Sequence, residues 1–178
     1  ALPKGRMQAG VFQLLADASV DLRAGERSYR PVLSLPAVEV KILKPQNIVQ
    51  MLDAGARDIG FAGADWVAEL DADLVELLDT ELDPVRLVAA APPAILEGGC
   101  LPTGTPLVVA SEYGRLTRRW IADRAIDASV LRSFGATEVF PPEDADCIID
   151  NTATGSTLRS NNLIIVDELM TSSTRLYA

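Results

Sequence analysis

An α/β fold is predicted by three features of this 178-residue sequence. Short apolar runs of strand length recur along it. Stretches with apolar residues at every third or fourth position lie between them. Gly- and Pro-containing turns separate the two kinds of segment. The alternation favours mostly parallel strands joined through helices. The length suits one domain, or one chain folded as two small lobes. With 48% apolar and 23% charged residues there is enough apolar surface for a core, and with aromatics at 5% that core must be Leu, Val, Ile and Ala.

The elements follow in order. Gly5 to Ala18 reads as a helix, because Met7, Val11, Leu14, Leu15 and Ala18 share one face. Val38, Val40 and Ile42 alternate as in a strand. Pro45 opens a helix with Ile48, Met51 and Leu52 inward and Gly55 closing it. Asp58 to Gly63 reads as a strand, after which Asp65 caps a short helix ending at Leu70. Val75 to Leu78 and Val85 to Ala91 are expected as buried strands. Pro92 to Pro106 is a loop and a natural lobe boundary. A strand over Leu107 to Ala110, a helix over Tyr113 to Ala125 with Leu116, Trp120 and Ile121 inward, and a strand over Ser129 to Phe134 come next. Cys147 to Asp150 is a short buried strand that runs into a helix opened by Thr-Ala-Thr-Gly-Ser-Thr-Leu. Leu163 to Val166 and Thr174 to Tyr177 are the last strands.

Composition excludes several kinds of chemistry. There are no histidines, so catalysis in this chain uses no Ser-His-Asp or Cys-His arrangement, no His-ligated zinc and no imidazole acid or base. The net charge of −9 argues against a bulk electrostatic grip on nucleic acid, which needs a basic face. Cys100 and Cys147 are too isolated for a Cys-x-x-Cys zinc or redox site. The first residues hold no apolar run long enough for a signal peptide or a membrane span, so the cytoplasm is the expected location.

The strongest local signal is Asp146-Cys147-Ile148-Ile149-Asp150-Asn151-Thr152-Ala153-Thr154-Gly155-Ser156-Thr157-Leu158. An apolar strand enters a small, hydroxyl-rich turn ahead of a helix. Such a turn aims backbone N–H groups at one point, the helix start adds partial positive charge, and Thr154, Ser156 and Thr157 add hydroxyls, so a phosphate monoester fits. It is not a Walker A loop, since the second Gly and the Lys are missing. The same residues also suit a plainly capped helix start. Asp146 and Asp150 are four apart and would share a face of one strand. Two carboxylates beside a phosphate loop suit a sugar's hydroxyls or a Mg²⁺ carrying pyrophosphate. Asp146 also reads as one of a surface acidic cluster with Glu143 and Asp144.

This stretch resembles a phosphoribosyl-diphosphate (PRPP) binding motif, and the chain as a whole resembles the ATP phosphoribosyltransferases, the first enzymes of histidine biosynthesis. The likeness runs in order through Ala1-Leu2-Pro3-Lys4-Gly5-Arg6, Arg27-x-Tyr29-Arg30, Asp58-Ile59-Gly60-Phe61-Ala62-Gly63-Ala64-Asp65-Trp66, Glu76 to Asp79, Arg86 to Val88, Ala110-Ser111-Glu112-Tyr113, Gly135-Ala136-Thr137-Glu138 and Leu158 to Leu163. It implies a two-lobed, periplasmic-binding-protein-like (type II) α/β fold with a central cleft. Residues 1–86 with 161–178 would form one lobe, and 87–160, with the phosphate loop, the other.

The resemblance also implies roles. Thr154, Gly155, Ser156, Thr157 and Leu158 would hold the 5′-phosphate of PRPP. Asp146 and Asp150 would serve the ribose and the metal, Asp150 through Mg²⁺-PRPP. Lys4 and Arg6 would meet phosphates of PRPP or ATP. Arg27, Arg30, Gly63 and Asp65 would contact ATP along the cleft. Read without the resemblance, Arg27 and Arg30 suit a solvated surface, Asp65 a helix cap, and Lys4-Gly5-Arg6 a basic turn at a helix start, where cations are mildly disfavoured unless an anion is present. Because it ends near the close of the catalytic region, the chain resembles the short form of the family; a truncated long form, whose C-terminal regulatory domain binds histidine, is the other expectation. The short form implies a homodimer within a hetero-oligomer that includes a regulatory subunit related to histidyl-tRNA synthetase.

The sequence departs from the family pattern at several points. Glu143-Asp144-Ala145-Asp146 stands where a Gly-Leu-Ala-Asp run is common. Glu81-Leu82-Asp83-Pro84 replaces a Gly-containing turn. Asn162 replaces a Gly, and Asn is best able to take the left-handed conformation that Gly allows. The implied reaction joins N1 of the adenine of ATP to ribose C1 of PRPP with loss of pyrophosphate. N1 has a free lone pair and needs no base, which agrees with the missing histidines. A non-catalytic binder of a phosphorylated metabolite and a phosphoribosyltransferase for another base are the competing expectations.

Overall fold

The computed structural model describes residues 1–23 and 29–178; Arg27 lies outside the described residues. The chain divides into two compact units, Ala1–Pro84 with Ser173–Ala178, and Val85–Ser172.

Unit 1 runs through β1 (Leu2–Pro3), α1 (Met7–Asp17), β2 (Leu22–Arg23), β3 (Val32–Leu33), β4 (Ile42–Leu43), α2 (Pro45–Asp53), β5 (Gly60–Gly63) and α3 (Ala64–Leu70), and its chain passes into unit 2 within β6 (Glu76–Ala91). β1 pairs in parallel with β4, Leu2 opposite Ile42. The core collects Leu2, Val11, Val40, Ile42 and Phe61, with Leu14 and Leu15 of α1 against it, so the apolar face read in the sequence is the face that packs. Val38 is exposed, and the expected strand from there shortens to β4. Pro45 occupies the first turn of α2, and Gly55, at φ +65°, follows its end. Val49 rather than Met51 is buried beside Ile48 and Leu52. A Cβ on Gly60 would lie 2.6 Å from the Ile48 side chain; α2 reaches the sheet only because that position has no side chain. Asp65 does not cap α3: Gly63 is the cap and Asp65 sits buried in the first turn, where its charge faces the positive end of the helix.

Unit 2 contains the second half of β6, β7 (Leu107–Ser111), α4 (Gly114–Asp123), β8 (Ala128–Arg132), β9 (Cys147–Thr152), α5 (Ser156–Ser160) and most of β10 (Ile164–Tyr177). Its strand order is β10-β6-β9-β7-β8. β7 pairs in parallel with both β8 and β9, whereas β6 pairs antiparallel with β9, Val88 opposite Asp150. The end of β10 returns to unit 1 and pairs antiparallel with β5, Tyr177 opposite Gly60. The sheets are therefore mixed, not mostly parallel. Strands remote in sequence become neighbours here, and alternation along the chain does not report their direction. The core is Val88, Ala90, Ala110, Ala145, Ile148, Leu158 and Leu163.

Three further expectations change. Val75 to Leu78 is not buried: Leu77 and Leu78 are half exposed, and they belong to the same strand as Val85 to Ala91. The chain keeps extending past Glu81 and Asp83 because both adopt left-handed φ values of 58° and 50°. Pro92 to Pro106, a loop with one 3-10 turn at Pro93–Ile95, lies inside unit 2. The return to unit 1 falls after Ser172, not at residue 160/161, since Leu163 and Ile165 pack into the unit 2 core and β10 is one continuous strand. Asn162 takes φ 54°, the left-handed role expected of it. Among the described residues no helix is long and apolar enough to cross a membrane.

Candidate active site

In unit 2 the parallel strands β8, β7 and β9 end side by side at Arg132, Ser111 and Thr152. The carboxyl edge of such a sheet is where α/β folds place ligands. Three segments emerge there: Glu112-Tyr113 into α4, Ser133 to Glu138, and Ala153 to Gly155 into α5. They are tied together from below. The Ser111 hydroxyl donates to Ile149 O at 2.7 Å and accepts the Tyr113 N–H at 2.9 Å. The Asn151 amide donates to the Tyr113 hydroxyl at 2.8 Å, and Tyr113 is 1% exposed.

The turn after β9 is shaped by its own hydroxyls. Thr152 Oγ1 accepts the Gly155 N–H at 2.9 Å, and Thr154 Oγ1 donates to Ser156 Oγ at 3.0 Å. Gly155 takes φ +72°, a conformation that costs a side-chain-bearing residue about 1 kcal/mol or more. Thr154, Ser156 and Thr157 are exposed; Leu158 is buried in the core and pins α5, so only its backbone faces outward chemistry. The first N–H groups of a helix have no partner within it, and here they open onto a turn lined by hydroxyls.

Asp150 sits near the carboxyl end of β9, and one carboxylate oxygen accepts the Asn151 N–H at 2.7 Å. Burial pushes its pKa up to about 6, the Asn151 N–H opposes that, and the charges of Glu138 and Glu112 add to the rise. A carboxylate held in acidic, half-dry surroundings is relieved by an arriving cation. Hard carboxylate oxygen suits Mg²⁺, which is held by one or two carboxylates together with substrate phosphates. Among the described residues no group of three or more His, Cys, Asp or Glu forms a metal cage.

Asp146 stands apart. It precedes β9, its N–H donates to Val108 O at 2.9 Å, and its carboxylate accepts the Val108 N–H at 2.8 Å. Four residues of extended chain, about 13 Å, separate it from Asp150. Its carboxylate aligns β9 on β7 at the edge away from the Thr152–Leu158 turn.

The other expected residues lie in unit 1. The Lys4 ammonium donates to the Tyr29 hydroxyl at 2.9 Å, and this bond, with the ammonium charge, holds the exposed phenol below its ordinary pKa. The Arg6 guanidinium donates to Asp83 O at 3.2 Å and lies 3.7 Å from its carboxylate. Gly63 ends β5, Asp65 follows it in α3, and Arg30 is exposed.

Sequence reading gave no role to Ser111, Glu112, Tyr113 or Glu138, although the segments carrying them were among those matched to the family. Their signal was the motif itself. What they do depends on the β9-β7-β8 pairing.

The sequence pattern of the family described as "HisG: ATP phosphoribosyltransferase" matches residues 44–178. The ATP phosphoribosyltransferase of Chlorobium phaeobacteroides is 37% identical over 99% of this chain, which spans 62% of that relative's length. Among solved structures, the ATP phosphoribosyl transferase (HisG:HisZ) complex from Thermotoga maritima superposes with a TM-score of 0.86 at 26% identity, covering 99% of this chain and 85% of that one. The alkanesulfonate-binding protein SsuA from Xanthomonas axonopodis pv. citri matches at TM-score 0.52 and 14% identity, over 80% of this chain and 56% of that one. That second likeness shows the fold alone, a two-lobed periplasmic-binding-protein-like (type II) architecture with mixed sheets. Together with the sequence match, these findings show that the chain belongs to the ATP phosphoribosyltransferase family.

Proposed function

We propose that this chain transfers the phosphoribosyl group of PRPP to N1 of the adenine of ATP, giving phosphoribosyl-ATP and pyrophosphate, the first step of histidine biosynthesis. The observation that carries this reading is the Thr152–Leu158 turn with Asp150 beside it at the carboxyl edge of unit 2, inside the segment matched to the family.

In this reading the amides at the start of α5 and the hydroxyls of Thr154, Ser156 and Thr157 hold the 5′-phosphate of PRPP. That fixes ribose C1 over the strand ends. Asp150 faces the ribose, and its carboxylate opposes the positive charge that develops there as the C1–O bond to pyrophosphate lengthens. The lone pair of N1 forms the new C–N bond, and no proton has to leave N1 first. Catalysis is then positioning plus electrostatics. Asp150, together with the phosphates of PRPP, would hold Mg²⁺, which would supply neutralisation of the leaving group. Lys4 and Arg6 are assigned to phosphates of PRPP or ATP, and Arg27, Arg30, Gly63 and Asp65 to ATP. The Lys4 and Arg6 contacts are solvent-exposed, so exchanging Tyr29 and Asp83 for a phosphate costs little. Asp146 serves as a positioning residue for β9.

The test is pyrophosphate release by the purified chain with Mg²⁺, ATP and PRPP, with and without a coexpressed HisZ-type partner, and with free purine bases replacing ATP. Release that requires ATP supports the reading. Binding of PRPP without release under any of these conditions makes the chain a binder, and release with a free base instead reassigns the acceptor. Size-exclusion chromatography of the same samples tests the homodimer and its assembly with a regulatory subunit. Fractionation of the source cells tests the cytoplasmic location.

A further inference from the structure

The loop after β8 has a feature that the phosphate turn does not explain. Its two ends are locked. The Ser133 N–H donates to Ser111 O at 3.1 Å, and the buried Ser133 and Thr137 hydroxyls hydrogen-bond to each other at 2.8 Å. Between these ends the chain takes left-handed conformations twice, at Gly135 (φ 96°) and at Ala136 (φ 48°). For Ala136 that is a strained state, of the kind that persists where the surroundings impose it and that clusters at ligand sites. The apex of this fixed loop is Phe134, which is 86% exposed, with the Arg132 guanidinium 5.6 Å from its ring centroid. The loop passes the acidic group around Asp150: a Cβ on Gly135 would lie 3.9 Å from Glu112, and Glu112 and Glu138 both act on Asp150.

The place of this ring in the sheet limits what it can meet. β8 and β9 flank β7, so their ends lie about 10 Å apart. A ribose held over Asp150 and a planar ring extending from its C1 span that distance. An exposed aromatic ring with a guanidinium over one face suits a ligand that is a flat heteroaromatic ring with an anionic chain, since the other face can stack the ring and the cation meets the chain.

We propose that Phe134 is the stacking platform for the purine of the acceptor nucleotide, and that Arg132 flanks it on the side of the nucleotide's phosphates. This assignment rests on the reading of ATP as the acceptor. Phe134 acts by holding the adenine plane so that N1, rather than the exocyclic amine, faces ribose C1. It is a specificity-determining residue and carries no proton or charge in the reaction.

The test is calorimetric titration of wild type, Phe134→Ala and Phe134→Trp with ATP, with inorganic triphosphate and with PRPP, each in Mg²⁺. Stacking of a base on an aromatic side chain sets the expected effect. Phe134→Ala should weaken ATP about tenfold or more and leave triphosphate and PRPP unchanged. Phe134→Trp should restore ATP binding. Equal ATP affinity in wild type and Phe134→Ala overturns the proposal, as does equal weakening of ATP and triphosphate, which would place the effect on charge. Wild type that binds no ATP overturns both this proposal and the acceptor reading. Phe134-dependent ATP binding without pyrophosphate release would leave the platform standing and remove the transferase reading alone.

Discussion

Replacing Asp150 with Asn should make the folded chain more stable and the enzyme far less active. Burial first, then Glu138 and Glu112, raise the Asp150 carboxyl from its ordinary 3.8 to about 6. Between those values the folded state binds a proton that the unfolded state has released. Stability therefore falls as pH rises through that window, by about 3 kcal/mol when complete. An amide of the same shape carries no charge to desolvate and still accepts the Asn151 N–H. The gain at pH 8 is about 3 kcal/mol, a rise in Tm of about 6–12 °C for a chain of this size. At pH 4 the native carboxyl is already protonated and the gain should vanish. Pyrophosphate release should fall by about 100-fold or more, the scale for removing one preorganised electrostatic group. Thermal unfolding of both proteins at pH 4 and pH 8 measures the first effect. An unchanged or lower Tm at pH 8, or a gain that persists at pH 4, would refute the reasoning.

Thr157 is exposed at the start of α5, so Thr157→Val should leave stability within about 0.5 kcal/mol and raise the KM for PRPP by about 10–100-fold, the value of a hydrogen bond to a charged group; an unchanged KM removes it from the phosphate site. Gly60→Ala places a Cβ 2.6 Å from the fully buried Ile48 side chain and should cost about 1–3 kcal/mol, read by urea unfolding; a neutral result would mean that α2 shifts freely. Cys147 is buried with its pKa pushed up to about 12 by desolvation, and Cys100 is exposed. A thiol reagent at pH 8 should therefore label one cysteine in the native chain and two in urea; fast native labelling of Cys147 would contradict its burial.

Much of the fold is legible because helical periodicity and burial report the same fact. Val11, Leu14 and Leu15 were grouped by spacing and pack on one core. The long strands were missed for a different reason. Glu81-Leu82-Asp83-Pro84 carries turn residues, but the chain absorbs them as two left-handed positions and keeps extending. In β10 the stretch from Asp167 to Ser173, polar but for Leu169 and Met170, reads as a gap between strands, yet a strand's hydrogen bonds do not depend on apolar side chains. The Thr152–Leu158 turn was visible since its hydroxyls and Gly155 are contiguous. The acidic group around Asp150 was not, because Glu112, Glu138 and Asp150 meet only through strand pairing. For Asp146 the sequence gives only a side-chain direction shared with Asp150, and four extended residues set the two about 13 Å apart.

The return of the chain's last six residues to unit 1 bears on synthesis. Unit 2 is one continuous segment and can close as soon as Ser172 has left the ribosome. Unit 1 cannot, because β5 acquires its partner strand only from Thr174 to Tyr177, made more than a hundred residues later. Of the two units the amino-terminal one is thus finished second, and until then β5 presents an unpaired edge to the growing chain and to anything nearby.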